Sequence, residues 1–165
     1  MKFIILAVVL LIVVIFFVTQ KKITANPVKF YNANIDDIGY VYEALEKSGQ
    51  EHSYAIFVFD SSEAMEGSHI ELQFSKENGV VGFDWILLGP EKTRDQSKFE
   101  SLAKENGYEV RSLEGNNVKY LRVESGDIVL LCKEIMVSMY KVSDEQKMEL
   151  VAKDITIEKL DLVTE

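Results

Sequence analysis

The pattern of apolar and polar positions divides the chain into two unequal parts. Sixteen apolar residues run without interruption from Phe3 to Val18, with Leu10 near their centre. Such a run has no polar side to expose to water, and with its flanking residues it approaches the roughly twenty residues that a helix needs to cross a bilayer. We therefore expect residues 1–22 to form a transmembrane anchor that contacts the lipid bilayer through residues 3–19.

The lysines around this run bear on cleavage and on orientation. A cleaved signal peptide is the alternative to a retained anchor, but Lys21 and Lys22 lie where a cleavage region of small residues should be. Lys21, Lys22 and Lys29 follow the run and Lys2 precedes it, which favours a domain on the cytoplasmic face of the inner cell membrane. The single cysteine, Cys132, cannot form an intrachain disulfide, so no oxidising compartment is required and the side of the membrane stays open.

After the anchor, residues 23–33 are predicted to be a polar linker and residues 34–165 one acidic domain. Periods of 3.6 and 2 residues predict the elements of this domain. Helices are expected at residues 34–48, 93–105, 127–142 and 143–153, and strands at residues 54–59, 70–75, 80–88, 108–113 and 118–124. The first eight elements run α-β-β-β-α-β-β-α, which predicts an α+β fold with an antiparallel sheet packed by helices and a short C-terminal helix or extension.

The firmest local prediction is a hairpin at Asn78-Gly79. This dipeptide favours a two-residue type I′ turn, and apolar residues alternate with polar ones before it. The turn sets a register in which Phe74 faces Phe83 and Leu72 faces Trp85. One face of the sheet should therefore be apolar and aromatic.

Three segments carry a resemblance to a known family. They are the Leu72-Gln73-Phe74 strand with its hairpin, the helix exit from Leu102 to Tyr108, and the apolar helix Ile128–Tyr140. With the element order, the small size and the acidic balance, they resemble the type III secretion chaperone fold and related bacterial secretion-chaperone-like (TY-Chap type) domains. The resemblance implies a non-enzymatic domain that binds protein partners, often as a homodimer. The anchor departs from that family, whose members are typically soluble.

The charge of the domain narrows the classes of partner. All 27 acidic residues but only 15 of the 18 basic residues follow Lys22, so this part carries a formal charge of −12. Such a surface repels phosphate backbones, which argues against nucleic-acid binding. A basic protein partner, or solubility alone, fits this charge.

Few residues offer catalytic or metal-binding chemistry. His52 and His69 flank the first predicted strand near Asp60 and Glu71, but they have no metal-ligand spacing, and we expect neither a metal nor a cofactor. Cys132 lies in an apolar helix and is predicted to be a buried small side chain. Phosphate-binding glycine loops and nucleophile motifs are absent from the sequence.

The sequence therefore predicts a single-pass membrane protein that presents a non-catalytic, chaperone- or adaptor-like binding domain. Two alternatives stay open: a toxin-immunity protein that neutralises a basic partner, and a small hydrolase-like enzyme that uses His52 or His69 with a carboxylate. Two groups of residues are candidates for partner binding. Those on the sheet face away from the aromatic cluster are Gln73, Ser75, Asp84 and Ile86, and those on the helix predicted over residues 127–142 are Met136 and Met139.

Overall fold

The computed structural model describes residues 26–64, 68–158 and 163–164. This part of the chain contains eight strands, three α-helices and one short π-helix. The strands are β1 (Val28–Ala33), β2 (Tyr54–Phe59), β3 (Ile70–Glu77), β4 (Val80–Ile86), β5 (Arg111–Gly115), β6 (Val118–Val123), β7 (Met148–Lys153) and β8 (Val163–Thr164). The helices are α1 (Asp37–Ser48), α2 (Gly89–Glu105) and α3 (Ile128–Glu134), and a short π-helix (Ile135–Met139) continues α3.

The strands form one antiparallel sheet in the order β5-β6-β4-β3-β2-β7-β1-β8. Strands β2 to β4 are neighbours in sequence and in space, whereas β7 inserts between β2 and β1. The C-terminal part of the domain is therefore built into the middle of the sheet. The predicted α+β class with an antiparallel sheet is confirmed.

The described helices pack on one face of the sheet and enclose the core. The ring of Phe99 in α2 stacks on Trp85 of β4, with centroids 4.7 Å apart, and Tyr42 of α1 meets Phe74 of β3 edge-on at 5.7 Å. Apolar side chains of α1, α2, α3 and the π-helix complete this core: Ile38, Val41, Leu45, Phe99, Ala103, Ile128, Leu131 and Ile135. Removal of this apolar surface from water is the main source of stability.

The predicted hairpin between β3 and β4 is confirmed in place and register. Asn78 and Gly79 have φ values of 53° and 77°, as a type I′ turn requires, and Phe74 pairs with Phe83. Glu51 supports the turn, because its carboxylate accepts hydrogen bonds from the backbone N–H groups of Asn78 at 2.7 Å and Gly79 at 3.2 Å.

Two predictions at the ends of the domain are wrong. Residues 143–153 were expected to be helical, but Ser143 and Gln146 form a turn and Met148–Lys153 is strand β7. Its buried and half-buried residues alternate with a period of two, because one side of the strand faces the core. The expected linker 23–33 likewise contains β1, which pairs with β7.

The helix predicted over residues 127–142 is shorter than expected. Instead of reaching Val142 as an α-helix, the chain changes to π-helical hydrogen bonding at Ile135 and ends the helical segment at Met139. This wider turn keeps both Ile135 and Met136 in the core.

The expected transmembrane anchor, residues 1–22 with Phe3, Leu10 and Val18, lies outside the described residues. Within the described residues, no helix combines the length and the apolar character that crossing a membrane requires.

Candidate functional site

The face of the sheet away from the helices, called here the open face, carries a continuous row of paired side chains. Antiparallel partners follow one another across seven strands, so their side chains project on the same side. From β1 to β5 the row is Lys29, Val151, Ile56, Gln73, Asp84, Arg122 and Arg111.

Four of the predicted partner-binding residues lie on this face. Gln73 and Asp84 are neighbours in the row, and Ser75 and Ile86 project from the same side of β3 and β4. The Nε2 group of Gln73 donates to Asp84 at 3.3 Å, and the hydroxyl of Ser75 donates to Asp84 at 2.5 Å. The structure therefore brings three of these polar residues into one hydrogen-bonded group.

The centre of this group is Arg122 of β6, which the sequence analysis missed. Its side chain is fully buried, and its Nη1 atom donates to Asp84 at 2.5 Å and to the Ser75 hydroxyl at 2.8 Å. Its Nη2 atom donates to the backbone carbonyls of Ser75 at 3.2 Å and Val80 at 3.1 Å. The guanidinium therefore joins β3, β4 and β6 through side-chain and backbone contacts.

Gly82 of β4 provides the space for this guanidinium. A Cβ atom at Gly82 would lie 2.7 Å from Arg122 Cζ and 2.8 Å from its Nε atom, closer than side-chain atoms can approach. Burial raises the pKa of the Asp84 carboxyl, and the opposing effects of Arg122 and Ser75 cancel only part of that rise. Arg122 and Asp84 thus form a buried ion pair, and the guanidinium of Arg122 packs directly on Gly82.

Carboxylates at the rim connect the buried arginine to exposed groups. Glu124 accepts from Arg122 Nε at 2.6 Å and also pairs with Arg111 of β5. Glu77 accepts from the Tyr120 hydroxyl at 3.1 Å. The network therefore extends from the buried centre to solvent at this end of the open face.

Toward the other end of the open face, three apolar side chains lie among charged ones, since Val58 pairs with Glu71 and Glu149 and Val151 pairs with Lys29. Ile56 and Val58 of β2 and Val151 of β7 are adjacent in the register and are half-buried, without a helix over them among the described residues. We call these three residues the apolar strip. A charged network beside a partly exposed apolar strip is the combination found at protein-binding surfaces.

The two histidines lie at opposite ends of β2. The backbone N–H of His52 bonds to Lys76 at the end of β3, whereas His69 precedes the first residue of that strand. The intervening strand separates them by roughly 20 Å. His69 Nδ1 does contact Asp60 Oδ1 at 2.6 Å, but both side chains are largely exposed.

The remaining candidates lie in the helical layer. Met136 is fully buried in the core, so its prediction as a partner contact is corrected; Met139 is partly buried against the same core. Cys132 is fully buried, as predicted, and burial raises the pKa of its thiol, which keeps it protonated and poorly nucleophilic.

A signal for Arg122 exists in the sequence. Asp84 lies between Phe83 and Trp85, and Arg122 between Leu121 and Val123, so each strand places one charge among apolar neighbours. A buried charge is costly unless an opposite charge pairs with it, so the two residues are natural partners. The sequence does not show that β4 lies beside β6, and only that pairing brings Asp84 and Arg122 together.

The described part of the chain contains no cluster of three His, Cys, Asp or Glu side chains that could hold a metal ion. All N–H groups of Arg122 are bonded within the protein, so the groups of this face that stay available for contact are the apolar strip and the charges at the rim.

Comparison with protein-family models, curated proteins and solved structures found no match for this chain.

Proposed function

We propose that this protein presents a non-catalytic protein-binding domain at a membrane, and that the open face of its sheet binds the partner. The observation that supports this proposal most directly is the difference between the two faces of the sheet. The described helices cover one face, while the other combines the apolar strip with an ordered charge network.

The chemistry of this face supports binding. Asp84 and Arg122 satisfy each other in the folded domain, so a partner does not have to neutralise a buried charge. The half-buried apolar strip supplies the surface whose removal from water favours association. The resemblance to secretion chaperones points to the same class of activity.

The overall charge favours a basic partner. A formal charge of −12 after Lys22 accelerates the approach of a positively charged protein and slows that of an acidic one. A toxin-immunity role is the second candidate, because it is a special case in which the basic partner is an incoming toxin.

The experiment compares two matched double variants of the full chain. Ile56→Glu with Val151→Glu places two charges in the apolar strip. Leu130→Glu with Val137→Glu places two charges on the outer side of the helical layer, where both original side chains are 48% exposed. Each variant is purified in detergent from the cells that make the protein, and the co-purifying proteins are quantified against the wild type.

We expect at least tenfold less of one specific partner to co-purify with the Ile56→Glu, Val151→Glu variant, called the sheet-face variant, than with the wild type. Two charges buried in the interface cost about 1.4 kcal/mol or more in affinity. The helix-side variant should retain it. Retention by the sheet-face variant with loss from the helix-side variant would contradict the proposal, provided that circular dichroism shows both to be folded.

A further inference from the structure

Lys92, in the first turns of α2, points into the core rather than into solvent. The residue is 7% exposed, and its Nζ atom lies 4.0 Å from the centroid of the Trp85 ring and 5.9 Å from that of Tyr140. The Trp85 indole N–H donates to the Lys92 carbonyl at 3.1 Å, which holds the ring against this turn. The amine therefore lies between the sheet and the helical layer.

The described residues provide no hydrogen-bond acceptor for this amine. The nearest acidic groups act on it only through space: Asp95 of α2, Glu71 of β3 and the buried thiol of Cys132 in α3. Asp95 is instead bonded to Arg94 and Lys98. A protonated Lys92 would therefore be a buried cation stabilised mainly by the faces of aromatic rings.

Burial controls the protonation of this amine. Loss of hydration lowers the pKa of Lys92 from 10.5 to about 7, and the acidic groups around it oppose that shift only in part. The Tyr140 hydroxyl and the Cys132 thiol both have pKa values raised by burial, so they stay neutral near pH 7. The charge of the Lys92 amine thus changes near neutrality inside the core.

We propose that Lys92 is a proton-operated switch in the core: a proton on its buried amine, which lies over Trp85 with no acceptor among the described residues, loosens the first turns of α2. These turns contact two residues between β2 and β3, because Arg94 donates to the Glu63 carbonyl at 3.0 Å and Glu91 accepts from the Ser68 hydroxyl. Protonation therefore weakens these two contacts of α2. This switch is independent of binding at the open face.

The direction of the effect on stability follows from proton binding. Between pH 10.5 and about 7 the unfolded chain binds a proton at this amine and the folded protein does not. The free energy of unfolding therefore falls as the pH is lowered through this range, and the loss is complete below about pH 7.

The fluorescence of Trp85 reports this switch directly, because it is the single tryptophan of the chain. The full chain in detergent is titrated from pH 5.5 to 9.5. Since an ammonium group at this distance perturbs the indole, we expect a single fluorescence transition with a midpoint near pH 7.

Two variants separate Lys92 from other groups. Lys92→Met keeps the length of the side chain without a charge, and it should abolish the transition. The double variant His52→Gln with His69→Gln removes both imidazoles of the chain and leaves Lys92 in place, and it should keep the transition. A transition that survives in Lys92→Met, or that disappears in the histidine variant, would overturn the proposal. A flat titration of the histidine variant would overturn it even if Lys92→Met does not fold.

Discussion

At the scale of single residues, Arg122 shows how a charge is held inside a small domain. All five of its N–H donors can be matched to acceptors on Asp84, Ser75, Val80 and Glu124. Taking a guanidinium and a carboxylate out of water is costly, and complete hydrogen bonding offsets that cost. The arrangement therefore depends on geometry, and in particular on the absence of a side chain at Gly82.

We predict that Gly82→Ala destabilises the domain by about 2–4 kcal/mol, because the new methyl group displaces the buried guanidinium from its acceptors. Gly39→Ala is the matched control. Gly39 lies inside α1, where a Cβ atom would be 3.7 Å from Val129, an ordinary contact. This control should stabilise the helix by about 0.5–1 kcal/mol.

Urea unfolding followed by circular dichroism measures both changes. If Gly82→Ala unfolds at the same urea concentration as the wild type, the guanidinium does not need the space over Gly82, and this description of the network is wrong.

At the scale of elements, local chemistry explains the segments that the sequence predicted well. The β3–β4 hairpin, strand β2 and helix α1 each have a pattern and a terminating residue within a few positions. Strands β1 and β7 were missed because β1 is a short segment directly after Pro27 and β7 follows a capping-like Ser143…Gln146 pair. Their pairing joins residues more than 100 positions apart, which no local pattern contains.

The same limit applies to the candidate site. The alternation in β3 and β4 predicted that Gln73, Ser75 and Asp84 share one face, and the structure adds hydrogen bonds among them that the pattern did not predict. Arg122 and the apolar strip were not predicted, since both depend on the order of strands across the sheet. Met136, which was proposed as a partner contact, lies in the π-helix and is buried in the core.

We predict that the turn at Asn78-Gly79 stabilises the hairpin through the positive φ of Gly79. Gly79→Ala should lower the free energy of unfolding by about 1–2 kcal/mol, since an alanine resists the left-handed conformation. The control Gly115→Ala lies beside the β5–β6 turn, where a Cβ atom would meet Tyr120 at 3.7 Å, and it should change stability by less than about 0.5 kcal/mol. Equal effects of the two substitutions would contradict this role of the turn.

At the scale of the whole molecule, the C-terminal segment helps to close the helical side. After β7, the backbone N–H of Thr156 bonds to the Ser48 hydroxyl at 2.9 Å, and that of Glu158 bonds to the Tyr40 hydroxyl at 3.1 Å. Strand β8 then pairs with β1 at Phe30. Thr156 and Glu158 thus lie against α1, and β8 extends the sheet beyond β1.

The central claim is that the open face contacts the partner, and site-specific photocrosslinking in living cells tests it most directly. A benzophenone amino acid replaces Val58 in the apolar strip or, as the control, Val137 on the helical side of the full chain. We predict a crosslinked product at Val58, identified by mass spectrometry as the protein lost from the Ile56→Glu, Val151→Glu variant, and none at Val137. Crosslinking of that protein at Val137 with none at Val58 would place the binding surface on the helices and contradict the account.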